Sequence, residues 1–173
     1  MIKNIFLDRD GVVNEVVIRE AKVESPRKFI EFKIRQEFKD FYEEIIESDF
    51  NLFIISNQPE IARNRMEIKD LDLMTAQLKS EFNFLEISYC LHDNSDNCNC
   101  RKPKPGMIIN ILERYDLLKN ESIIIGDSIK DINAGKNAGL ITVLLQTDYN
   151  KDIDIQADYR INKLTEIFNI MQE

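Results

Sequence analysis

Two apolar patterns alternate along the chain. Short, mainly apolar blocks, Ile5 to Leu7, Asn51 to Ile55, Ser122 to Ile125 and Ile141 to Leu145, have the length and composition of strands buried on both faces. Between them, apolar residues return every three or four positions. Ile34, Phe38, Phe41, Tyr42, Ile45 and Ile46 predict a helix over Ile34–Ile46, and Leu71, Leu73, Met74, Leu78 and Phe82 a second over about Ile68–Phe82. A third stripe, Met107, Ile108, Ile111, Leu112 and Tyr115, starts a helix at about Met107, because Pro103 and Pro105 forbid an earlier start. Helices over about Ile129–Ala138 and from Leu164, with strands at Leu85–Cys90 and, weakly, Tyr159–Ile161, complete the pattern. Asn14 to Phe32 is mixed, broken by Ser25-Pro26, and yields no assignment. Strand and helix in alternation predict an α/β fold, a doubly wound, Rossmann-like parallel sheet with right-handed crossovers.

Composition adds bounds. The 173 residues suit one domain over 1–173 with a full core, and 43% hydrophobic with 31% charged residues is ordinary for a globular protein. A net charge of -8 and a pI near 4.8 supply no broad cationic field, so nucleic acid and anionic membrane are not expected partners. No apolar run approaches the roughly 20 residues of a membrane span, and the start lacks a signal-peptide pattern; a cytoplasmic monomer is expected.

Candidate chemistry gathers where the predicted strands end. Asp8 and Asp10 follow the first, with Gly11 close behind; Ser56-Asn57-Gln58 follows the second; Arg101-Lys102 follows the strand-like Leu85–Cys90 region; Gly126-Asp127 and Asp131 follow Ile125. Parallel strands share a carboxyl end, so these clusters can meet in one crevice. Each alone reads equally well as a turn, a helix cap or a solvated charge. Together they hold what phosphoryl transfer needs: a carboxylate that can attack phosphorus, acids for a hard divalent cation, and a lysine with hydroxyl and amide donors for phosphoryl oxygens.

The three cysteines and the one histidine all lie between Cys90 and Cys100. Cys90-x-His92 and Cys98-x-Cys100 supply the four ligands of a closed structural zinc site, which leaves no open position for water. Its expected role is to fix the loop that runs into Arg101-Lys102; the alternative is a reduced loop without metal.

The ordered set Asp8-x-Asp10-Gly11, Ser56-Asn57-Gln58, Arg101-Lys102-Pro103 and Gly126-Asp127-x-x-x-Asp131 resembles the haloacid dehalogenase superfamily of phosphatases over most of the chain. The cysteine loop and Arg101-Lys102-Pro103-x-Pro-Gly-Met narrow the resemblance to the branch of D-glycero-D-manno-heptose 1,7-bisphosphate 7-phosphatase and histidinol-phosphate phosphatase, whose members lack a large cap domain. The resemblance implies a Mg2+-dependent phosphatase working through an aspartyl-phosphate, with Asp8 as nucleophile and Asp10 as general acid and base. Ser56, Asn57 and Lys102 would bind the phosphoryl group. Asp8, the Asp10 carbonyl, Asp127 and Asp131 would hold or support Mg2+, and Arg63 and Arg101 would meet the rest of a small sugar or polyol. Heptose bisphosphate losing its 7-phosphate is the first implied substrate and histidinol phosphate the second.

Pro59-Glu60 and Asn64 depart from the branch pattern on the expected substrate rim, leaving the reaction residues intact. Two other classes stay open at this point. A phosphoacceptor domain would carry its acid after a later strand and needs no zinc loop, whereas a zinc-stabilised binding protein would keep the fold without turnover.

Overall fold

The computed structural model describes residues 1–171. Six strands, β1 (Asn4–Leu7), β4 (Asn51–Asn57), β5 (Glu86–Cys90), β6 (Ser122–Gly126), β7 (Ile141–Leu145) and β8 (Tyr159–Ile161), form one parallel sheet in the order β5-β4-β1-β6-β7-β8. The chain builds outward from β1 through β4 to β5, then returns to the other side of β1 for β6, β7 and β8. Strand order therefore reverses between β1 and β6, the place where an open α/β sheet leaves a crevice at its carboxyl ends.

Alternation along each strand divides the core. Ile5 and Leu7 of β1, Leu52 and Ile54 of β4 and Ile123 and Ile125 of β6 pack with Phe38 and Phe41 of α1 (Gln36–Ile45), Met74 and Leu78 of α2 (Ile68–Glu81) and Ile167 of α5 (Ile167–Met171). On the opposite face Phe6, Phe53, Ile55 and Ile124 pack with Ile108, Ile111 and Leu112 of α3 (Gly106–Arg114) and Ala134 and Ala138 of α4 (Ile129–Ala138). Each of these larger side chains, fully buried, is worth roughly 2–3 kcal/mol. The predicted doubly wound sheet is thus present, and the described residues form no large cap over it. No described helix is long and apolar enough to cross a membrane.

Boundaries differ where local pairing outweighs periodicity. The first helix starts at Gln36 rather than Ile34, because Ile34 bridges to Asn14 and the Arg35 amide donates to the Val13 carbonyl at 3.0 Å, holding both residues extended. Strand β4 runs two residues past Ile55, since Ser56 and Asn57 pair with Tyr89 and Cys90 of β5. The last helix opens with a 3-10 turn, Leu164–Glu166, before α5. Within the unassigned stretch lies a small antiparallel hairpin, β2 (Val17–Arg19) and β3 (Lys22–Glu24), pinned by Arg19 to Glu24 at 3.1 Å and to Glu31 at 2.5 Å.

Gly135 lies where α4 approaches the sheet most closely. A Cβ there would overlap Ile124 Cγ2 and stand 2.7 Å from Thr142 Cγ2. In a free helix Gly→Ala gains up to about 1 kcal/mol, whereas overpacking costs typically 1–3 kcal/mol. Gly135→Ala is therefore expected to lower unfolding stability by about 1–2 kcal/mol, read as a lower urea midpoint at unchanged slope; a rise in the midpoint would contradict this packing.

Candidate active site

All nine residues singled out for phosphoryl chemistry line one cleft of about 500 Å3 at the carboxyl ends of the strands: Asp8, Asp10, Ser56, Asn57, Arg63, Arg101, Lys102, Asp127 and Asp131. The register explains the convergence. Leu7 lies opposite Ile54 on one side and Ile125 on the other, so the chain leaves β1 at Asp8 between the ends of β4 and β6.

Lys102 is buried at the centre. Its Nζ donates to Asp8 Oδ1 at 2.7 Å and to the Ile55 carbonyl at 2.8 Å, and pairs with Asp131 Oδ1 at 2.6 Å. Burial alone would depress the ammonium, but Asp131 and Asp8 outweigh it and hold Lys102 charged. Its backbone is fixed as well. Asn57 Nδ2 donates to the Lys102 carbonyl and Oδ1 accepts from the Lys102 amide, both at 3.0 Å.

Asp8, Asp127 and Asp131 each bring a carboxylate oxygen within 4.8 Å of the others. Burial first, and then the Asp131 charge, pushes the Asp8 carboxyl well above its ordinary range and Asp127 up to about 7. Three crowded, nearly dry carboxylates are a hard-oxygen set whose repulsion a divalent cation would relieve. Asp131 has a second duty, as its Oδ2 accepts from the Ser128 amide at 3.1 Å and hydroxyl at 2.5 Å, closing the capping box that starts α4. The residues after β7 complete this corner. Tyr149 donates its hydroxyl to Asp127 Oδ2, and Asn150 Nδ2 donates to the Asp127 carbonyl at 2.7 Å and the Leu145 carbonyl at 2.9 Å. Gly11, at φ 91°, leaves the space in which that pair meets, since a Cβ would overlap both Asp127 and the tyrosine oxygen.

Asp10 has the opposite character. Burial raises its carboxyl, but the Arg9 guanidinium, with donors from Asn14, Ser25 and Gln58, brings it below its ordinary value. Arg9 is fully buried between Phe32 and Tyr89, with Nη2 2.9 Å and Nε 3.1 Å from Asp10 Oδ1. Gln58 Nε2 bridges Asp10 Oδ2 at 2.7 Å and Ser56 Oγ at 2.9 Å. Sequence reasoning passed over the roles of Arg9, Gln58, Tyr149 and Asn150. Gln58, Tyr149 and Asn150 share a signal, since they too follow strand ends.

The cysteine loop forms a separate cluster behind Lys102. The three Sγ atoms are 3.3, 3.4 and 3.6 Å apart, and His92 Nδ1 is 3.3 Å from Cys100 Sγ and 3.7 Å from Cys90 Sγ. The edge of a tetrahedron with metal–sulfur bonds of about 2.3 Å is about 3.8 Å, so the four atoms are already close to the corners of such a site. All three thiols are free. Burial and the two neighbouring sulfurs push Cys100 up to about 12, a cost that a bound cation would remove. Arg101 is tied to the same loop, through Asn94 Oδ1 at 2.7 Å and the His92 carbonyl at 3.1 Å, and Arg63 reaches it through Asp93 at 2.5 Å.

Comparison with known proteins places this arrangement. A HAD-hydrolase-like family model matches residues 99–167. The chain is 33% identical, over 99% of its length and 96% of the other's, to a D-glycero-alpha-D-manno-heptose-1,7-bisphosphate 7-phosphatase of Campylobacter jejuni. It is 30% identical, over 98% of its length and 91% of the other's, to the beta-anomer 7-phosphatase of Neisseria meningitidis. Among solved structures, the D,D-heptose 1,7-bisphosphate phosphatase of B. bronchiseptica, complexed with magnesium and phosphate, superposes with a TM-score of 0.84 at 26% identity, covering 99% of both chains. In sequence over nearly its whole length, and in fold, the chain belongs to the haloacid dehalogenase family of phosphatases.

Proposed function

We propose that the chain is a single-domain, Mg2+-dependent phosphomonoesterase that removes the 7-phosphate of D-glycero-D-manno-heptose 1,7-bisphosphate through an aspartyl-phosphate on Asp8. The observation that carries this reading is the placing of Asp8, at a sheet crossover between Lys102, 2.7 Å away, and the acids Asp127 and Asp131. The whole-length relatives supply the substrate. We also assign it a cytoplasmic setting, where thiols stay reduced for a metal. We also take the chain to act as a monomer.

In the first step Asp8 attacks phosphorus and the ester oxygen leaves with a proton from Asp10. The arriving phosphate dianion raises the Asp10 carboxyl toward the protonated form this step needs. In the second, ionised Asp10 takes a proton from water as that water attacks phosphorus, breaking the bond to Asp8 and freeing phosphate. Arg9, fixed by the rings of Phe32 and Tyr89, supports that ionised form. Lys102 and Ser56 hold the phosphoryl oxygens, and Asn57 acts through Lys102 by holding its peptide in place. Asp8, Asp127 and the Asp10 carbonyl would hold Mg2+, which offsets charge on the nucleophile and phosphate; Asp131 supports it by anchoring Lys102. Zinc on Cys90, His92, Cys98 and Cys100 would be structural.

A panel of sugar phosphates assayed with Mg2+ tests the reading, with heptose bisphosphate expected to lead and phosphate to come from position 7. Turnover of no phosphomonoester in the panel would overturn it. The link from Tyr149 to Asp127 gives a narrower check. Tyr149→Phe is expected to raise the Mg2+ concentration for half-maximal activity about tenfold while KM for the ester changes little. A Mn2+-binding titration followed by electron paramagnetic resonance should move by the same factor, and an unmoved titration would remove Tyr149 from the metal's support.

A further inference from the structure

Glu60 is an acid in a place that the reaction does not explain. It lies in the turn after β4, one residue beyond Pro59, and its carboxylate is about 10% exposed. Oε1 accepts from Arg63 Nη1 at 2.9 Å and from Arg65 Nη2 at 2.8 Å. Arg27 Nε stands 2.8 Å from Oε2, close enough for charge attraction though off the hydrogen-bond direction. Glu60, Arg63 and Arg65 all line the outer part of the cleft, together with Arg101 and Glu24. This wall therefore sets three guanidinium groups against two carboxylates, where its arginines alone would make a strong site for a second anion.

We infer that Glu60 is a specificity-determining residue that lowers the demand for a second phosphate and opens the site to sugar monophosphates. The inference rests on the phosphatase reading and concerns what lies beyond the reacting phosphate. A dianionic group reaching this wall meets guanidinium groups already paired to a fixed carboxylate, and it is repelled by that carboxylate at short range. A neutral hydroxyl in the same place is served on both counts, because it can accept from arginine donors that Glu60 does not use and donate to a carboxylate oxygen.

The competing account makes Glu60 a scaffold that positions the arginines for the second phosphate. The contacts favour charge over scaffolding. Without Glu60, Arg63 still has Asp93 at 2.5 Å, Arg101 still has Asn94 Oδ1 at 2.7 Å, and Arg27 behind them still has Glu24 at 2.6 Å, so of the arginines on the wall only Arg65 loses its anchor. The loss of one negative charge, in contrast, has no compensation on that wall.

The test compares heptose 1,7-bisphosphate with heptose 7-phosphate, which share the reacting phosphate and differ only at the far end. Glu60→Gln is expected to raise the ratio of kcat/KM for bisphosphate over monophosphate about tenfold, mainly through KM of the bisphosphate. Glu60→Asp keeps the charge and should stay within about twofold of wild type. The gain should shrink in 0.5 M salt, where the Debye length falls to about 4 Å. Glu60→Gly serves as a second neutral variant, with circular dichroism confirming that both fold. Calorimetric binding of the two sugars to Asp8→Asn protein, with and without Glu60→Gln, reads the same ratio without turnover. An unchanged or lower ratio in folded Glu60→Gln and Glu60→Gly overturns the inference. Absence of turnover on both sugars, with the binding ratio still rising, would overturn the phosphatase reading and leave the role of Glu60 standing.

Discussion

Asp8→Asn is expected to cut phosphate release by roughly 10^4-fold or more, which is about 5.5 kcal/mol of transition-state stabilisation, while leaving the fold and the zinc content intact. An amide oxygen is too poor a nucleophile to displace a sugar alkoxide, and the other carboxylate on Lys102, Asp131, is buried with its second oxygen held by Ser128. The variant should not be destabilised. Burial and Asp131 raise the Asp8 carboxyl well above its ordinary range, so at neutral pH its ionised form is disfavoured in the folded protein relative to the unfolded chain. A carboxyl whose folded value is raised costs stability once pH exceeds its unfolded value near 4. Asparagine removes that cost, at the expense of one partner of Lys102, which keeps Asp131 and the Ile55 carbonyl. Without divalent cation, melting at pH 7 should therefore match or exceed wild type. Residual turnover above about one per cent of wild type would show that Asp8 is not the nucleophile; a collapsed fold would show that the Lys102 to Asp8 pair is structural first.

The alternation of apolar runs with helical stripes makes the four inner strands of the parallel sheet plain, because a strand buried on both faces has few polar positions to blur the pattern, whereas the edge strands β5 and β8, with Glu86, Ser88 and Arg160 among their residues, give a weaker signal. The site followed from the same fact. Once Asp8, Ser56 and Asp127 stand at strand ends, topology alone brings them together. The hairpin β2–β3 was hidden for a local reason. Its two turn residues, Glu20 and Ala21, adopt positive φ of 50° and 60°, a turn that normally announces itself by Asn-Gly or Asp-Gly. Ion pairs of Arg19 with Glu24 and Glu31 hold it instead, and such pairs have no periodicity to read. Arg9 was hidden because a charged residue between two acids reads as solvated. It is buried only because Phe32 and Tyr89, distant in sequence, enclose it and Asp10 answers its charge. Glu60 could be recognised as a departure, but not as a counter-ion, since Arg27 meets it only through tertiary folding and Arg65 through an irregular turn that has no periodicity to read.

Loss of the cysteine site should reach the reaction although none of its ligands touches the cleft. Cys100→Ser is expected to lower bound zinc from near one equivalent to well below half, and kcat/KM by about 10^2-fold, the scale on which a misplacement of about 1 Å is felt at a reacting centre. Cys100 is the ligand to choose because its sulfur contacts both other thiols and His92, at 3.3 to 3.4 Å, and because its peptide leads directly into Arg101 and Lys102. Asn57 grips the Lys102 peptide from the other side through two bonds of 3.0 Å, so loosening of the loop rather than complete loss of Lys102 is the expected damage. Arg101 and Arg63, both bonded to this loop, should drift with it, so KM should rise as kcat falls. Excess Mg2+ cannot restore the variant, because the soft thiolate set and the hard carboxylate set take different ions. Wild-type protein stripped by a zinc chelator and then given back Zn2+ supplies the complementary arm, in which activity should fall and return together with bound zinc. A zinc-free Cys100→Ser protein with full activity would separate the loop from catalysis and leave the Lys102 peptide to the grip of Asn57.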